Sequence, residues 1–379
     1  MSILKNSRSQ NSHPKIQTGV TLIELMVSLT IGLVIIAAIG YVFLGSKQNY
    51  RSQDVLSRMQ EGARAAFQLM NKDIRMTGFR GCPVNSASGG DINVLVSAAD
   101  WDKNLFGQPL IGYEKASATA WSAFPAGVTG VVGNVVSGDV LTVLHADNTK
   151  EYIVSAHAPP QFTLTANHDI NQGQILIAAK PDCSRTAIFQ NTHDCSPSPC
   201  NIIKHNATGT CSSGNRAIGL GNPIGACPAG TADTFDLGSR LFRLSATTYY
   251  IRNNPSNEPS LYRQVLSTSA GSPSTTAEEL IEGVQDMQLS YAVDNGTDRG
   301  VDAYVTADSV TDWSKVLGIR VSLLMVSRQD ERGITTSAQQ YAIDMNGDGD
   351  VLDAGEKITP TDRLFRKVFS TTIAIKNRL

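Results

Sequence analysis

The chain opens on a polar, basic stretch, residues 1–19, and then runs apolar from Val20 to Leu44 with Glu24 as its single charge. About 25 residues at 1.5 Å each suffice to cross a hydrocarbon core of roughly 30 Å. Near Gly45 the pattern changes from apolar on every side to apolar on one side. Val55, Met59, Ala63, Ala66, Phe67, Met70 and Ile74 recur at three- and four-residue steps, while Arg51, Asp54, Arg58, Glu61, Gln68, Lys72 and Arg75 take the other face. No proline falls between Val20 and Gly81, so the pattern predicts one helix from Val20 to about Thr77, roughly 87 Å long. That is too long for a compact domain, and it implies an apolar stalk whose second half carries a head. Gly32 and Gly40 each cost about 1 kcal/mol against Ala inside a helix, and they read as close-packing positions.

Beyond Thr77 the residues shift to short β-prone runs with turn punctuation. Residues 139–144, 161–165, 174–177, 247–251, 287–291, 319–326 and 369–375 read as strands by alternation and β-branched content. The fold class expected is α+β: a lollipop with a long N-terminal helix and an antiparallel β-sheet head. The domain reading is a leader at 1–19, a stalk helix at 20–77 with its membrane or filament segment at 20–44, and a β-rich head at 78–379. Residues 192–232, rich in Gly, Ser, Asn and Pro, read as a loop-like surface excursion.

Charge sharpens the amino-terminal reading. The formal net charge is −2, yet residues 1–19 hold Lys5, Arg8 and Lys15 with no acid. Nothing in this balance asks for nucleic acid, and a basic start before an apolar run places the leader in the cytoplasm and the bulk of the chain outside. Secretory signals put a small-residue cleavage site after the apolar run; here Gly19 precedes it. Glu24 is the anomaly within that run, because a carboxylate in hydrocarbon costs on the order of 2.5 to 3.5 kcal/mol. Cleavage after Gly19 creates an ammonium at Val20 within a turn or so of Glu24, and a neighbouring copy packed alongside offers the same positive end. A single-span anchor whose Glu24 snorkels toward headgroups is the alternative.

Six cysteines, Cys82, Cys183, Cys195, Cys200, Cys211 and Cys227, all follow the apolar segment. Their crowding into loop-rich sequence points to disulfides in an oxidising compartment, with connectivity open. Zinc is the competing reading for Cys195 and Cys200, though neither a CxxC spacing nor paired His ligands accompany them. Asp344, Asn346, Asp348 and Asp350 alternate with Gly at the sixth place, as in a calcium loop of EF-hand type, and Asp353 and Glu356 follow close behind. Glu356 stands one residue late for a bidentate ligand, and a solvated Asn-Gly/Asp-Gly hairpin turn is the alternative. Calcium is the expected ion. The six histidines show no HExxH pairing, and no phosphate-binding loop or GxSxG elbow is present, so enzyme activity is not expected.

Gly19 followed by Val20-Thr21-Leu22-Ile23-Glu24 and an unbroken apolar helix resembles the class III leader of type IV prepilins. The resemblance implies that a prepilin peptidase cuts between Gly19 and Val20 and methylates the Val20 amine; Phe is usual where Val20 stands. Residues 73–82, 249–254, 261–263, 282–287 and 368–378 are similar to the PilW group of minor pilins. That likeness implies a low-abundance subunit that primes pilus assembly, sits at or near the tip, and supports twitching motility and adhesion. Its implied partners are other minor pilins, the major pilin, a tip adhesin, the prepilin peptidase and the inner-membrane assembly platform. It also implies a Gram-negative inner-membrane protein with a periplasmic head that later reaches the pilus surface. A minor pseudopilin of a type II secretion system shares the same leader and the same Glu24 logic. From a different class comes a membrane-anchored binding or hydrolytic domain in which Gly19 is accidental.

Overall fold

The three- and four-residue spacing between Val55 and Ile74 becomes one buried face of a helix. In the computed structural model α1 spans Leu22–Met76 and buries Val55, Met59, Ala63, Ala66, Met70, Asp73 and Ile74. The residues described are 19–82, 90–96, 100–115, 135–196, 200–207, 214–221, 231, 233–296, 300–328 and 339–377. The chain divides into two compact units, Met1–Asp54 and Val55–Leu379. In the first, the described residues are helical from Leu22 onward and no side chain is buried.

The second unit is mostly sheet. Its strands are β1 (Asp91–Asn93), β2 (Leu110–Tyr113), β3 (Ser137–Ala158), β4 (Gln161–His168), β5 (Ile175–Ala179), β6 (Thr186–Gln190), β7 (Cys200–Lys204) and β8 (Arg240–Asn253). There follow β9 (Pro259–Ser269), β10 (Ser272–Glu282), β11 (Val284–Val293), β12 (Ala303–Val305), β13 (Val316–Val326), β14 (Tyr341–Ala342), β15 (Lys357–Ile358) and β16 (Arg366–Ala374). A ten-stranded sheet runs β1-β6-β5-β8-β3-β4-β7, with β9 also on β8, β10 on β9 and β2 on β3. The long strands β3 and β8 form its spine, paired antiparallel from Ser137↔Ile251 to Ile153↔Arg240. A four-stranded sheet runs β12-β11-β13-β16, and β14 pairs with β15.

Alternation along the spine sorts side chains between cores. Leu141 and Val143 face the core built on α1, whereas Val140 and Leu144 face a second core holding Ile177 and Phe242. The far end of the spine, with Tyr152 and Val154, closes on a third core around Phe162 and Phe189. The four-stranded sheet turns Leu289, Tyr291, Val321 and Leu323 onto the α1 core. Two glycines permit the close approaches. A Cβ at Gly62 would lie 3.1 Å from Met325 and 3.4 Å from Ile281, where α1 meets strands. Gly138, at φ +68°, brings β3 so near β11 that a Cβ would meet the Met287 backbone at 2.6 Å. Asp139 fastens the same approach by accepting the Leu289 N–H at 2.8 Å.

The α+β layout expected from the sequence therefore stands, with two corrections. The head is large and its sheet is mixed rather than wholly antiparallel, since β1 pairs parallel to β6. Residues 192–232 are not only a loop: β7 lies within them on β4, and His205, Ala217 and Leu220 are buried.

Candidate functional site

The amino-terminal end of α1 carries the first group of expected site residues. Gly19, Val20 and Glu24 are all exposed. Thr21 and Glu24 form a reciprocal cap: Glu24 Oε2 accepts the Thr21 N–H and the Thr21 hydroxyl, each at 2.9 Å, while Thr21 Oγ1 accepts the Glu24 N–H at 3.3 Å. This T-x-x-E capping box satisfies donors that the first helical turn would otherwise leave open. Both bonds to the carboxylate fall on Oε2, and Oε1 takes no partner among the described residues. The apolar side chains that follow, from Leu22 to Leu44, are exposed. By length and composition this helix is apolar enough to cross a membrane.

In the second unit one acid lies on the apolar face of α1. Asp73 is buried, accepts the Tyr249 hydroxyl of β8 at 2.7 Å, and has His145 Nε2 of β3 at 3.4 Å without a well-aligned hydrogen bond. Burial opposes ionisation of Asp73, but His145 and Tyr249 together outweigh it and hold the carboxyl below its ordinary value. The last turn of α1 is thus tied to both spine strands. Sequence reasoning passed over Asp73; its signal was a lone acid three residues after Met70, in the buried stripe.

The cysteines resolve into two bridges, Cys82–Cys183 and Cys195–Cys200, with Cα–Cα distances of 5.7 and 5.8 Å. Cys211 and Cys227 lie outside the described residues. His168, which sequence spacing did not connect to any cysteine, joins Cys195 and Cys200 with all three ligand atoms within 4.8 Å of one another. A histidine pair lies elsewhere in the head: half-buried His157 and buried His205 bring their Nε2 atoms to 2.9 Å among Phe162, Phe189 and Phe235. Burial lowers His157 to about 4 and His205 to about 3, so both rings are neutral at ordinary pH.

Asp344, Asn346, Asp348, Asp350, Asp353 and Glu356 are gathered on the turn between β14 and β15. Their oxygens serve mostly the turn itself. Asp344 accepts the N–H groups of Gly347 at 2.7 Å and Gly349 at 2.9 Å, and faces Arg320 at 3.4 Å. Asn346 accepts the Asp348 N–H, Asp348 accepts the Asp350 N–H, and Asp350 accepts the Leu352 N–H. Buried Glu356 takes the N–H groups of Met345 and Asp353, and Asn346 Nδ2 donates to Asp353 at 2.7 Å.

Two family models match the chain, and together they make it type IV pilus-related and pilin-like. Residues 14–40 match the prokaryotic N-terminal methylation motif, which spans Gly19, Val20 and Glu24. Residues 248–377, from within β8 through β16, match the family model of PilW, the type IV pilus-assembly protein W. No curated protein and no solved structure matches the chain.

Proposed function

We propose that this chain is a minor pilin that primes assembly of a type IV pilus and stays at or near its tip, supporting twitching motility and adhesion. The reading rests on one observation above the others: an exposed apolar segment of α1, Leu22 to Leu44, that holds Glu24 in its first turn, where the carboxylate keeps one oxygen free of its own cap. Leader removal between Gly19 and Val20 supplies the positive amine, and the Glu24 of an adjoining subunit is where that charge is neutralised as apolar helices pack. The membrane holds the subunit until then, with the head in the periplasm. Recruitment would exchange lipid for other minor pilins and the major pilin, under the prepilin peptidase and the assembly platform, with a tip adhesin beyond. A structural subunit of this kind needs no catalytic site. For the turn at 344–356 we propose calcium, on its oxygen donors alone.

Replacing Gly19 with a bulky residue tests the reading. The expected result is an uncleaved chain held in the inner membrane and loss of surface pili. Normal piliation with the uncleaved chain contradicts it, and so does loss of exoenzyme secretion with pili intact.

A further inference from the structure

The two bridges among the described residues sit in different surroundings. Cys82–Cys183 joins positions 101 apart, with Cys82 buried in the second core and Cys183 packed against it. Cys195–Cys200 joins positions 5 apart, and both residues are half-buried. A short loop has little chain entropy for a bond to remove, so this bridge adds less to the folded state than the long-range one.

Cys200 opens the strand β7 directly opposite His168 of β4. His168 Nε2 lies 3.4 Å from Cys195 Sγ, 3.5 Å from Cys200 Sγ and 2.9 Å from the Ile202 carbonyl oxygen. Its Nδ1 accepts the Ile170 N–H at 3.1 Å. In a neutral ring that assignment leaves the proton on Nε2. The single Nε2 hydrogen is taken by the Ile202 carbonyl at 2.9 Å, with both sulfurs close enough for a thiolate to compete for it, so the ring turns a donor rather than a lone pair toward the cysteines. A charge-assisted bond of this kind stabilises whichever sulfur leaves as thiolate.

We propose that Cys195–Cys200 is a thiol–disulfide exchange site for an external dithiol, with His168 as its positioning residue, while Cys82–Cys183 is a permanent staple. A thiolate of the dithiol attacks one sulfur of the pair. The Cys195–Cys200 bond breaks, a mixed disulfide forms, and the other cysteine leaves as a thiolate beside the His168 N–H. The second thiol of the reductant, deprotonated, then attacks its partner sulfur in the mixed disulfide and releases the remaining cysteine. The dithiol gives up two electrons and two protons and becomes a disulfide, and the cysteine pair takes them up as two thiols.

The test equilibrates the full-length protein in detergent micelles with graded ratios of reduced to oxidised dithiothreitol. Free thiols are trapped with iodoacetamide and each cysteine is read by peptide mass spectrometry. Cys195 and Cys200 are expected to become alkylated at a ratio at least about tenfold lower than Cys82 and Cys183. His168→Leu is expected to raise the ratio needed at Cys195–Cys200 by about tenfold, and His168→Gln, which keeps an N–H donor, to stay within about threefold of the parent. The Cys82–Cys183 bridge of the same molecule and the tryptophan fluorescence report whether a variant remains folded. Where the Leu variant unfolds, the order of the two bridges in the parent decides. Reduction of both bridges at the same ratio overturns the proposal, as does a folded Leu variant indistinguishable from the parent.

Discussion

Tyr249→Phe removes one hydroxyl from the junction between α1 and the spine of the large sheet. That hydroxyl donates at 2.7 Å to Asp73, and both residues are buried. A hydrogen bond to a charged group contributes roughly 1.5 to 3 kcal/mol, and the deletion leaves Asp73 with His145 as its near neighbour, so a loss of about 2 kcal/mol is expected. Asp73→Ala is expected to cost more, about 3 kcal/mol, because it removes the buried acceptor of the Tyr249 hydroxyl together with the neighbour of His145 and leaves Tyr249 with Arg263 alone. The sign with pH follows from the depressed carboxyl. Its contribution is fully present above the ordinary value of 3.8 and is lost as pH falls through the lower folded value. Tyr249→Phe should therefore matter most near neutral pH and least in strong acid. Urea unfolding of the full-length chain in detergent micelles, followed by tryptophan fluorescence, measures both effects. A Tyr249→Phe variant within 0.5 kcal/mol of the parent at pH 7, on the ordinary scatter of surface substitutions, would refute the reasoning.

Glu24→Ala is expected to be cleaved normally yet poorly recruited into filaments, whereas Thr21→Ala, which removes the cap at a cost of about 1 kcal/mol, should still be recruited; equal defects in filament content would reduce Glu24 to a capping residue. Burial lifts Glu114 to about 7 and raises Asp139, so these carboxyls favour the fold as pH drops, while His157 and His205, lowered to about 4 and about 3, oppose it below 6.5. Replacing both histidines, as His157→Phe with His205→Leu, should raise the melting temperature relative to the parent progressively from pH 6.5 down to pH 4; a constant difference across that window contradicts the assignment. Millimolar calcium is expected to raise the melting temperature of the full-length protein, and Asp348→Ala to abolish the rise; no shift in the parent removes calcium from the turn.

Legibility in the sequence followed the strength of each periodic signal. The helix was readable almost to its ends because Val55 to Ile74 repeat an uninterrupted three- and four-residue step, and α1 closes at Met76. Strands built from runs such as 319–326 were readable instead as short, β-branched apolar runs, because β13 is buried on both faces along nearly its whole length and shows no in-out alternation. Short strands such as β1 and β12 carry too few residues for any period, and β10 is largely exposed, so no apolar alternation marks it. β7 was hidden inside polar, cysteine-rich sequence because it is an edge strand held by pairing to β4 more than by its own side chains. At the amino-terminal end, the motif holding Gly19 and Glu24 is local in sequence, within residues 14–40. The capping box is equally local, T-x-x-E before an apolar run, so Glu24 serves its own helix end as well as carrying a charge into apolar sequence. Asp73 with Tyr249, and His168 with Cys195 and Cys200, come together across 176, 27 and 32 positions, which only the folded sheet brings into reach.

The most direct measurement is the mass of the amino-terminal peptide of the polypeptide isolated with sheared pili or their priming complex. A peptide beginning at Val20 with one added methyl on its amine is expected. A peptide beginning at Met1, or a chain found only in the inner membrane and never with filaments or the priming complex, contradicts the assignment.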